Sequence, residues 1–186
     1  MNDETGDSWA PHEFHAMPVQ HPPSPWSRFV ERDETYLNHL GFSDGCSHCQ
    51  VVSDRGVSVY SLPSLVLVHN EPEYDIGIAF PNLMMDGVGP IAGQRLRFAG
   101  RFGGGFSYRN GDDLLCEPLH LTGTRVAVFI KSNSAPFDLS ANLLANPYSK
   151  IFDGDPVIAV GFCPCDNHLV IATSRRLRIS TRQPNA

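Results

Sequence analysis

The sequence predicts an all-β fold, either a closed barrel or a two-sheet sandwich of about nine or ten short antiparallel strands. Turn-forming residues are frequent, with 16 Gly and 15 Pro in a chain of 186 residues, and they separate short apolar runs. Some runs are rich in β-branched residues, as at positions 157–162, and others alternate polar with apolar side chains, as at positions 95–98. The first pattern is typical of strands buried on both faces, and the second of strands buried on one face.

The first 25 residues predict a disordered arm in front of the globular domain. This arm holds five prolines and three histidines but few large apolar side chains, so it cannot bury enough surface to offset the entropy lost on ordering. We expect a single β-rich domain over residues 26–181 and a flexible tail over residues 182–186.

An amphipathic helix is predicted at the start of the domain. Ser24 can cap this helix, Pro25 suits its first position, and Gly41 can close it. A second, short helix is predicted around residues 139–145 and must end before Pro147. The apolar residues that recur near helical spacing in the first helix are Trp26, Phe29, Val30, Leu37 and Leu40.

Strands are predicted for most of the chain from residue 51 onward. A hairpin is expected over residues 51–60 with its turn at 53–56, and Asn110-Gly111 is a strong signal for a two-residue hairpin turn. The further predicted strands lie at residues 65–68, 74–80, 95–98, 106–109, 114–115 and 125–131.

A last hairpin organises the C-terminal part of the sequence. Residues 157–162 and 169–173 have the length and composition of buried strands, and residues 163–167 between them have turn chemistry. In the strand that follows, Arg176 and Arg178 share one face.

Two clusters of potential metal ligands stand far apart in the sequence. Cys46 and Cys49 have the two-residue spacing of zinc-binding cysteine pairs, and Cys163, Cys165 and His168 lie at the tip of the last hairpin. A structural zinc ion takes four soft ligands, and the second cluster can supply two of them as either cysteine with His168 or as the two cysteines. We therefore predict that one zinc ion ties the start of the domain to its end.

Two alternatives for the cysteines stay open. Cys116, Cys163 and Cys165 can be small buried hydrophobic residues at strand ends, which is a common role of free cysteines. They can also form a redox pair or a disulfide.

The segment Cys46-Ser47-His48-Cys49 resembles half of the small zinc finger in the leader proteins of some picornaviruses. The resemblance covers these four residues. A compact chain that is low in lysine and has no cofactor motif also fits the profile of a small viral leader or accessory protein.

Residues 152–157, followed by 160–161 and 169–172, resemble the end of a chymotrypsin-like protease, where a nucleophile-Gly-x-Pro-Val segment enters a strand. Asp153 stands at the nucleophile position. A carboxylate there offers no base-activated thiol or hydroxyl, so the resemblance implies a barrel without proteolysis. A β-barrel cysteine hydrolase is the related alternative, since eight histidines are available to pair with a thiol.

Charge and composition also bear on the partners. The formal charge of −6 argues against nonspecific binding to nucleic acid, and Arg175, Arg176 and Arg178 are the residues that would contact it.

No run approaches the roughly 18 apolar residues of a membrane span, and the acidic start is unlike a secretory signal. An odd number of cysteines and no Asn-x-Ser/Thr acceptor indicate an intracellular, cytoplasmic protein.

These observations predict a non-enzymatic protein-interaction or regulatory module that is stabilised by structural zinc and binds a protein partner. No catalytic residue is assigned. The alternatives are the cysteine hydrolase, the inactive chymotrypsin-like barrel and a carrier whose barrel holds a small apolar ligand.

Overall fold

Antiparallel strands make up most of the computed structural model, which describes residues 15–73, 83–101, 105–110, 114–121, 124–132 and 148–183. Within these ranges thirteen strands form three antiparallel sheets. The predicted β-dominated fold is confirmed. The strands are β1 (Val30–Asp33), β2 (Leu37–Phe42), β3 (His48–Ser53), β4 (Gly56–Ser61), β5 (Val66–Glu71), β6 (Met84–Asp86), β7 (Arg95–Gly100), β8 (Leu114–His120), β9 (Val126–Ser132), β10 (Ser149–Gly154), β11 (Val157–Phe162), β12 (His168–Thr173) and β13 (Arg176–Thr181).

The described strands form three open sheets, each with two edge strands. One sheet has six strands in the order β5-β4-β3-β2-β7-β6, one has four in the order β1-β13-β12-β11, and one has three in the order β10-β9-β8. The predicted closed barrel is wrong, because closure requires the outermost strands of one sheet to pair with each other, and the described strands do not. Three sheets also replace the two of the predicted sandwich.

Most of the predicted strands are present. The hairpin at residues 51–60 corresponds to β3 and β4, and the strand at residues 125–131 corresponds to β9. The predicted strand at residues 74–80 and the predicted helix at residues 139–145 lie outside the described ranges. None of the described residues belongs to a helix that is long and apolar enough to cross a bilayer.

The strands β2 to β4 and β11 to β13 build the same three-stranded unit twice, here called the first meander (residues 37–61) and the second meander (residues 157–181). Each residue of the first meander has a counterpart 120 positions later, so Phe42 corresponds to Phe162. The first strand of each meander carries a bulge at the same place. The pairing register repeats as well, in Phe42↔Cys49 with Phe162↔Leu169, and in His48↔Ser61 with His168↔Thr181.

The turn between the first two strands repeats in its backbone geometry. The N–H of Ser43 donates to the carbonyl of His48 at 3.0 Å, and the N–H of Cys163 donates to the carbonyl of His168 at 2.9 Å. Register, bulge and turn therefore all show a duplicated structural unit. Each turn has a left-handed non-glycine residue at the equivalent position, Cys46 (φ +55°) in the first and Asp166 (φ +60°) in the second.

A fourth strand covers the outer edge of each meander, but the two fourth strands come from different parts of the chain. β5 follows β4 directly after a turn and pairs with it. β1, the first strand described, pairs with β13, the last, with Val30 opposite Ile179. The second meander is thus completed by a strand that precedes the first.

The predicted helix over residues 24–41 is wrong. The chain forms β1 and β2 there, and Tyr36, whose backbone is left-handed (φ +56°), lies between the two strands. The strand conformation places Glu31 3.4 Å from Arg176, 145 positions away in the sequence. Pairing with this distant strand overrides the local helical spacing of apolar residues.

Residues 15–25, the described part of the predicted arm, contact β10. The N–H of Gln20 donates to the carbonyl of Lys150 at 2.7 Å, and Lys150 Nζ donates to the carbonyl of His15 at 3.3 Å. The buried Lys150 ammonium also lies 2.5 Å from the Asp153 carboxylate. Residues 1–14 lie outside the described ranges.

One apolar core joins the two meanders. It also contains Cys46 and Cys163, one from the turn of each meander, so the two turns meet at this core. The other core residues include Leu40, Phe42 and Val51 of the first meander and Val170, Leu177 and Ile179 of the second.

Candidate metal centre

Three cysteine thiols from the two meander turns converge on one point. Cys46 belongs to the first turn, and Cys163 and Cys165 belong to the second. The three Sγ atoms lie within 4.8 Å of one another, and the Sγ atoms of Cys163 and Cys165 are 3.1 Å apart. Cys46 and Cys163 are buried and Cys165 is partly exposed. The structure thus brings together three of the five predicted ligands.

The backbone of the first turn sets the position of Cys46. Gly45 (φ +73°) and Cys46 (φ +55°) are both left-handed, which reverses the chain direction, and glycine adopts this conformation at little cost. The N–H of Cys46 donates to the carbonyl of Ser43 at 2.9 Å, and Ser43 Oγ accepts the N–H of His48 at 3.0 Å. These contacts hold the thiol at the boundary between the meanders.

In the second turn a cysteine takes the place of that serine. The N–H of His168 donates to Cys163 Sγ at 3.2 Å, and the N–H of Asp166 donates to the carbonyl of Cys163 at 3.0 Å. Pro164, which has a fixed φ, separates the two cysteines. The turn thereby presents two sulfurs side by side.

His168 joins the two turns and is not a member of the sulfur group. Its Nε2 lies 3.2 Å from the carbonyl oxygen of Cys46, and its Nδ1 lies 2.9 Å from Thr181 Oγ1. The ring also stacks on Phe42, with centroids 6.4 Å apart. Because both nitrogens contact protein oxygens, His168 positions the turn that carries Cys46.

Cys49 also lies apart from the sulfur group. It is fully buried on β3, opposite Tyr60 of β4. Burial is the main cause that raises the pKa of its thiol, and the charge of Glu34 adds to it. Cys49, predicted as a metal ligand, is therefore a buried thiol outside the sulfur group, a role that the sequence left open for Cys116, Cys163 and Cys165.

Hydrogen bonds within the cluster make Cys163 the most acidic of its three thiols. The bond with Cys46 is the main cause that lowers the pKa of Cys163, against the opposing effect of burial. The same bond is the main cause that raises the pKa of Cys46, and burial is the main cause that raises the pKa of Cys165. These hydrogen bonds favour the thiolate form at Cys163, and a thiolate is the form that ligates metal.

Three thiolates are a suitable donor set for Zn²⁺ or another soft metal ion. Zn–S bonds of about 2.3 Å place two sulfurs of a tetrahedral site about 3.8 Å apart, which small side-chain movements achieve from the observed separations. Across the described ranges, no other group of three His, Cys, Asp or Glu side chains is close enough to share an ion. The fourth position of a tetrahedron is left for water or another donor.

The aspartate at the nucleophile position of the protease resemblance takes part in an ion pair. Asp153 lies 2.5 Å from Lys150 Nζ and 2.6 Å from Arg125 Nη2. These two cations bind the carboxylate, which thus links β10 to the start of β9.

The arginines considered as nucleic-acid contacts lie on β13 and beside it. Arg176 and Arg178 lie 3.4 and 3.2 Å from carboxylate oxygens of Glu31, and both Arg175 and Arg176 are exposed. All three line a cavity of about 320 Å³ together with Asp153. Charges of both signs face this cavity, and binding of nucleic acid there stays a prediction.

The duplication is the sequence signal that separates Cys46 from Cys49. The offset of 120 positions aligns Cys46 with Asp166, a turn residue, and aligns Cys49 with Leu169, a buried strand residue. A search of the sequence for this repeat would have assigned Cys46 to the turn and Cys49 to the core.

No protein-family model, curated protein or solved structure matches the chain.

Proposed function

We propose that this protein is a non-enzymatic interaction or regulatory module in which a zinc ion, bound by Cys46, Cys163 and Cys165, fastens the two meanders to each other. The observation that carries the proposal is the approach of three sulfurs to within 4.8 Å. Thiolates are the preferred ligands of structural zinc, and a bound ion would replace the hydrogen bonds that now join the sulfurs.

The position of the cluster explains why an ion there would stabilise the fold. Cys46 and Cys163 are separated by more than 100 residues, so a bridge between them closes a long loop of the unfolded chain. A covalent link across such a loop stabilises a protein by about 4–5 kcal/mol in the chain-entropy model. Metal binding contributes to folding in the same way when the unfolded chain has no preformed site.

An exposed apolar strand supports the interaction part of the proposal. β5 is an outer strand of the six-stranded sheet among the strands described. Its consecutive residues Val66, Leu67 and Val68 are 55%, 41% and 45% exposed. Exposed apolar residues on an outer strand are typical of surfaces to which a partner protein adds a strand.

Elemental analysis of the purified protein tests the metal site. We expect about one zinc ion per chain, and we expect Cys46→Ser, Cys163→Ser and Cys165→Ser to reduce it strongly. A chelator should lower the melting temperature of the wild type more than that of Cys46→Ser, because the variant has already lost the ion.

Cys49→Ala is the matched control, since this thiol lies three positions from Cys46 but outside the cluster. We expect Cys49→Ala to keep the metal content and to lose roughly 1 kcal/mol of stability through its smaller side chain. A metal-free wild type, or a Cys46→Ser variant with unchanged zinc content, would contradict the proposed site.

The predictions about origin and about a bound ligand go beyond the metal site, and the second has a direct test. A small viral leader or accessory protein is the class that the sequence profile predicts, and a small-ligand carrier is the alternative in which an apolar compound co-purifies with the chain. Mass spectrometry of a native extract checks the second.

A further inference from the structure

Two of the clustered thiols are close enough to form a bond with each other. Cys163 and Cys165 are separated by one residue, and their Sγ atoms are 3.1 Å apart. A disulfide requires about 2.05 Å between the sulfurs, so a small rotation of each side chain brings them together. Cys46 belongs to the other turn, so a disulfide to Cys46 would have to join the two meanders, whereas one between Cys163 and Cys165 closes within a single turn.

A small molecule can reach this pair at Cys165, and a cavity lies beside the buried Cys163. Cys165 is partly exposed at the turn. Cys163 lines a cavity of about 220 Å³ whose other walls include Arg97, Phe106 and Asp166. The cavity is large enough for a small oxidant but too small for a folded protein.

We propose that Cys163 and Cys165 are a redox couple that a small hydroperoxide converts to a disulfide, with release of the bound metal. One sulfur attacks the peroxide, the O–O bond breaks, and the products are a sulfenic acid on that cysteine and an alcohol, or water from hydrogen peroxide. The second sulfur then displaces the sulfenic hydroxyl, which leaves as water, and the S–S bond forms. In the metal-bound pair the two thiolates lose two electrons to the peroxide, the solvent supplies the two protons that the oxygen products take up, and the metal leaves as Zn²⁺; in the metal-free pair the protons come from the two thiols.

Metal release follows from the number of donors, and this part of the inference rests on the proposed function. A disulfide sulfur has no thiolate charge to donate, so oxidation removes two of the three ligands at once. Cys46 alone cannot retain a zinc ion against water and buffer. An oxidant therefore removes the zinc bridge between the meanders, and a reductant allows it to form again.

Peptide mapping identifies which sulfurs join. Trypsin cleaves after Lys150 and Arg175, so Cys163 and Cys165 fall in the single peptide 151–175, whereas Cys46 falls in the peptide 33–55. After treatment of the zinc-loaded protein with hydrogen peroxide, we expect peptide 151–175 to lose two hydrogen atoms in the absence of a reductant and to regain them with dithiothreitol. A chromophoric chelator should report one zinc ion released for each disulfide formed.

Variants separate failure of this inference from failure of the zinc site. Cys46→Ser is expected to bind little zinc but to form the disulfide at a similar yield, and Cys165→Ser is expected to form none. Cys116→Ala keeps both the pair and the cluster, and should show the same disulfide yield and the same zinc release as the wild type. A link between peptides 33–55 and 151–175, over-oxidation of Cys163 without a disulfide, or a disulfide that forms without zinc release would each overturn the proposed couple.

Discussion

At the scale of single residues, the buried imidazole of His168 joins the two turns that carry the thiols. It contacts the carbonyl of Cys46 in one meander and the hydroxyl of Thr181 in the other. Burial is the main cause that lowers the pKa of His168, although the charge of Cys163 opposes it. Burial also lowers the pKa of His39, on the first strand of the first meander. Both imidazoles are therefore neutral in the folded protein at pH values where the unfolded chain binds protons.

The stability of the metal-free protein is expected to fall as the pH is lowered below about 6.5. In that range the unfolded chain takes up protons at His168 and His39 and the folded chain does not, so unfolding is favoured, by at most about 1.4 kcal/mol for each histidine and pH unit. Urea denaturation at a series of pH values measures the slope.

His168→Gln should reduce this slope, because glutamine removes the titrating group but can keep one hydrogen bond. His48→Gln is the matched control, since His48 is the partly exposed counterpart in the first meander. Equal slopes in His168→Gln and the wild type would show that His168 does not carry the effect.

Single residues also show how much of the site the sequence reveals. Cysteine spacing indicated that two distant clusters meet, and Cys46, Cys163 and Cys165 do so. It did not distinguish Cys46 from Cys49, because spacing along the chain carries no information on which side of a turn a thiol lies. It also did not reveal Thr181, whose contact with His168 depends on the register of β12 and β13.

At the scale of secondary-structure elements, the first strand of each meander has a glycine where an antiparallel neighbouring segment approaches closely. A Cβ atom at Gly41 would lie 2.9 Å from the carbonyl oxygen of Arg97. A Cβ atom at Gly161 would lie 2.6 Å from the carbonyl oxygen of Ser107, which accepts the N–H of Phe162 at 2.7 Å. Both meanders therefore need a residue without a side chain at this point.

Gly161→Ala is expected to destabilise the protein by about 2–4 kcal/mol, because it combines a strained backbone with a steric clash. The φ of Gly161 is +136°, and the nearest contact is with backbone that cannot move aside easily. Gly93→Ala is the control, since its φ is +85° but nothing lies within 4 Å of its Cβ position. It should lose only about 1 kcal/mol in thermal or urea denaturation. Similar losses of stability in the two variants would contradict the close contact between Gly161 and the carbonyl oxygen of Ser107.

Elements differ in how far the sequence predicts them. β9, β11 and β12 are continuous runs of apolar and β-branched residues, and their strand character is visible locally. The strand character of β1 is not visible in its own sequence, VERD. This strand is stabilised by pairing with β13, where Glu31 contacts Arg176 and Arg178. When the stability of a strand depends on a distant partner, its local sequence does not predict its secondary structure.

At the scale of the whole molecule, β1 closes the second meander as β5 closes the first. Trp26, just before β1, packs on Phe162 with ring centroids 5.5 Å apart, and the carbonyl of Ser27 accepts the hydroxyl of Ser180 at 2.7 Å. Contacts of the residues just before β1 thus add to its pairing with β13 and hold it to the sheet.

A chain that begins at residue 34 is expected to be less stable than the full chain and to bind a synthetic peptide of residues 26–33. The truncation exposes the outer edge of β13 and uncovers Phe162, and the peptide restores both contacts. The full chain has two tryptophans, and both precede residue 34, so the emission of Trp26 in the peptide reports binding by a shift to shorter wavelength. A peptide of reversed sequence is the control. A truncated chain as stable as the full one would contradict the closing role of β1.

The pairing of Val30 with Ile179 also governs how the protein folds as it is synthesised. β1 is the earliest of the described strands to leave the ribosome. Its pairing partner β13 does not exist until almost 150 further residues have been translated. The first meander can form during that time, since its strands are contiguous, but the second cannot gain its outer strand until translation has passed β13. Among the described strands, β1 is therefore the first to be translated and one of the last to be paired.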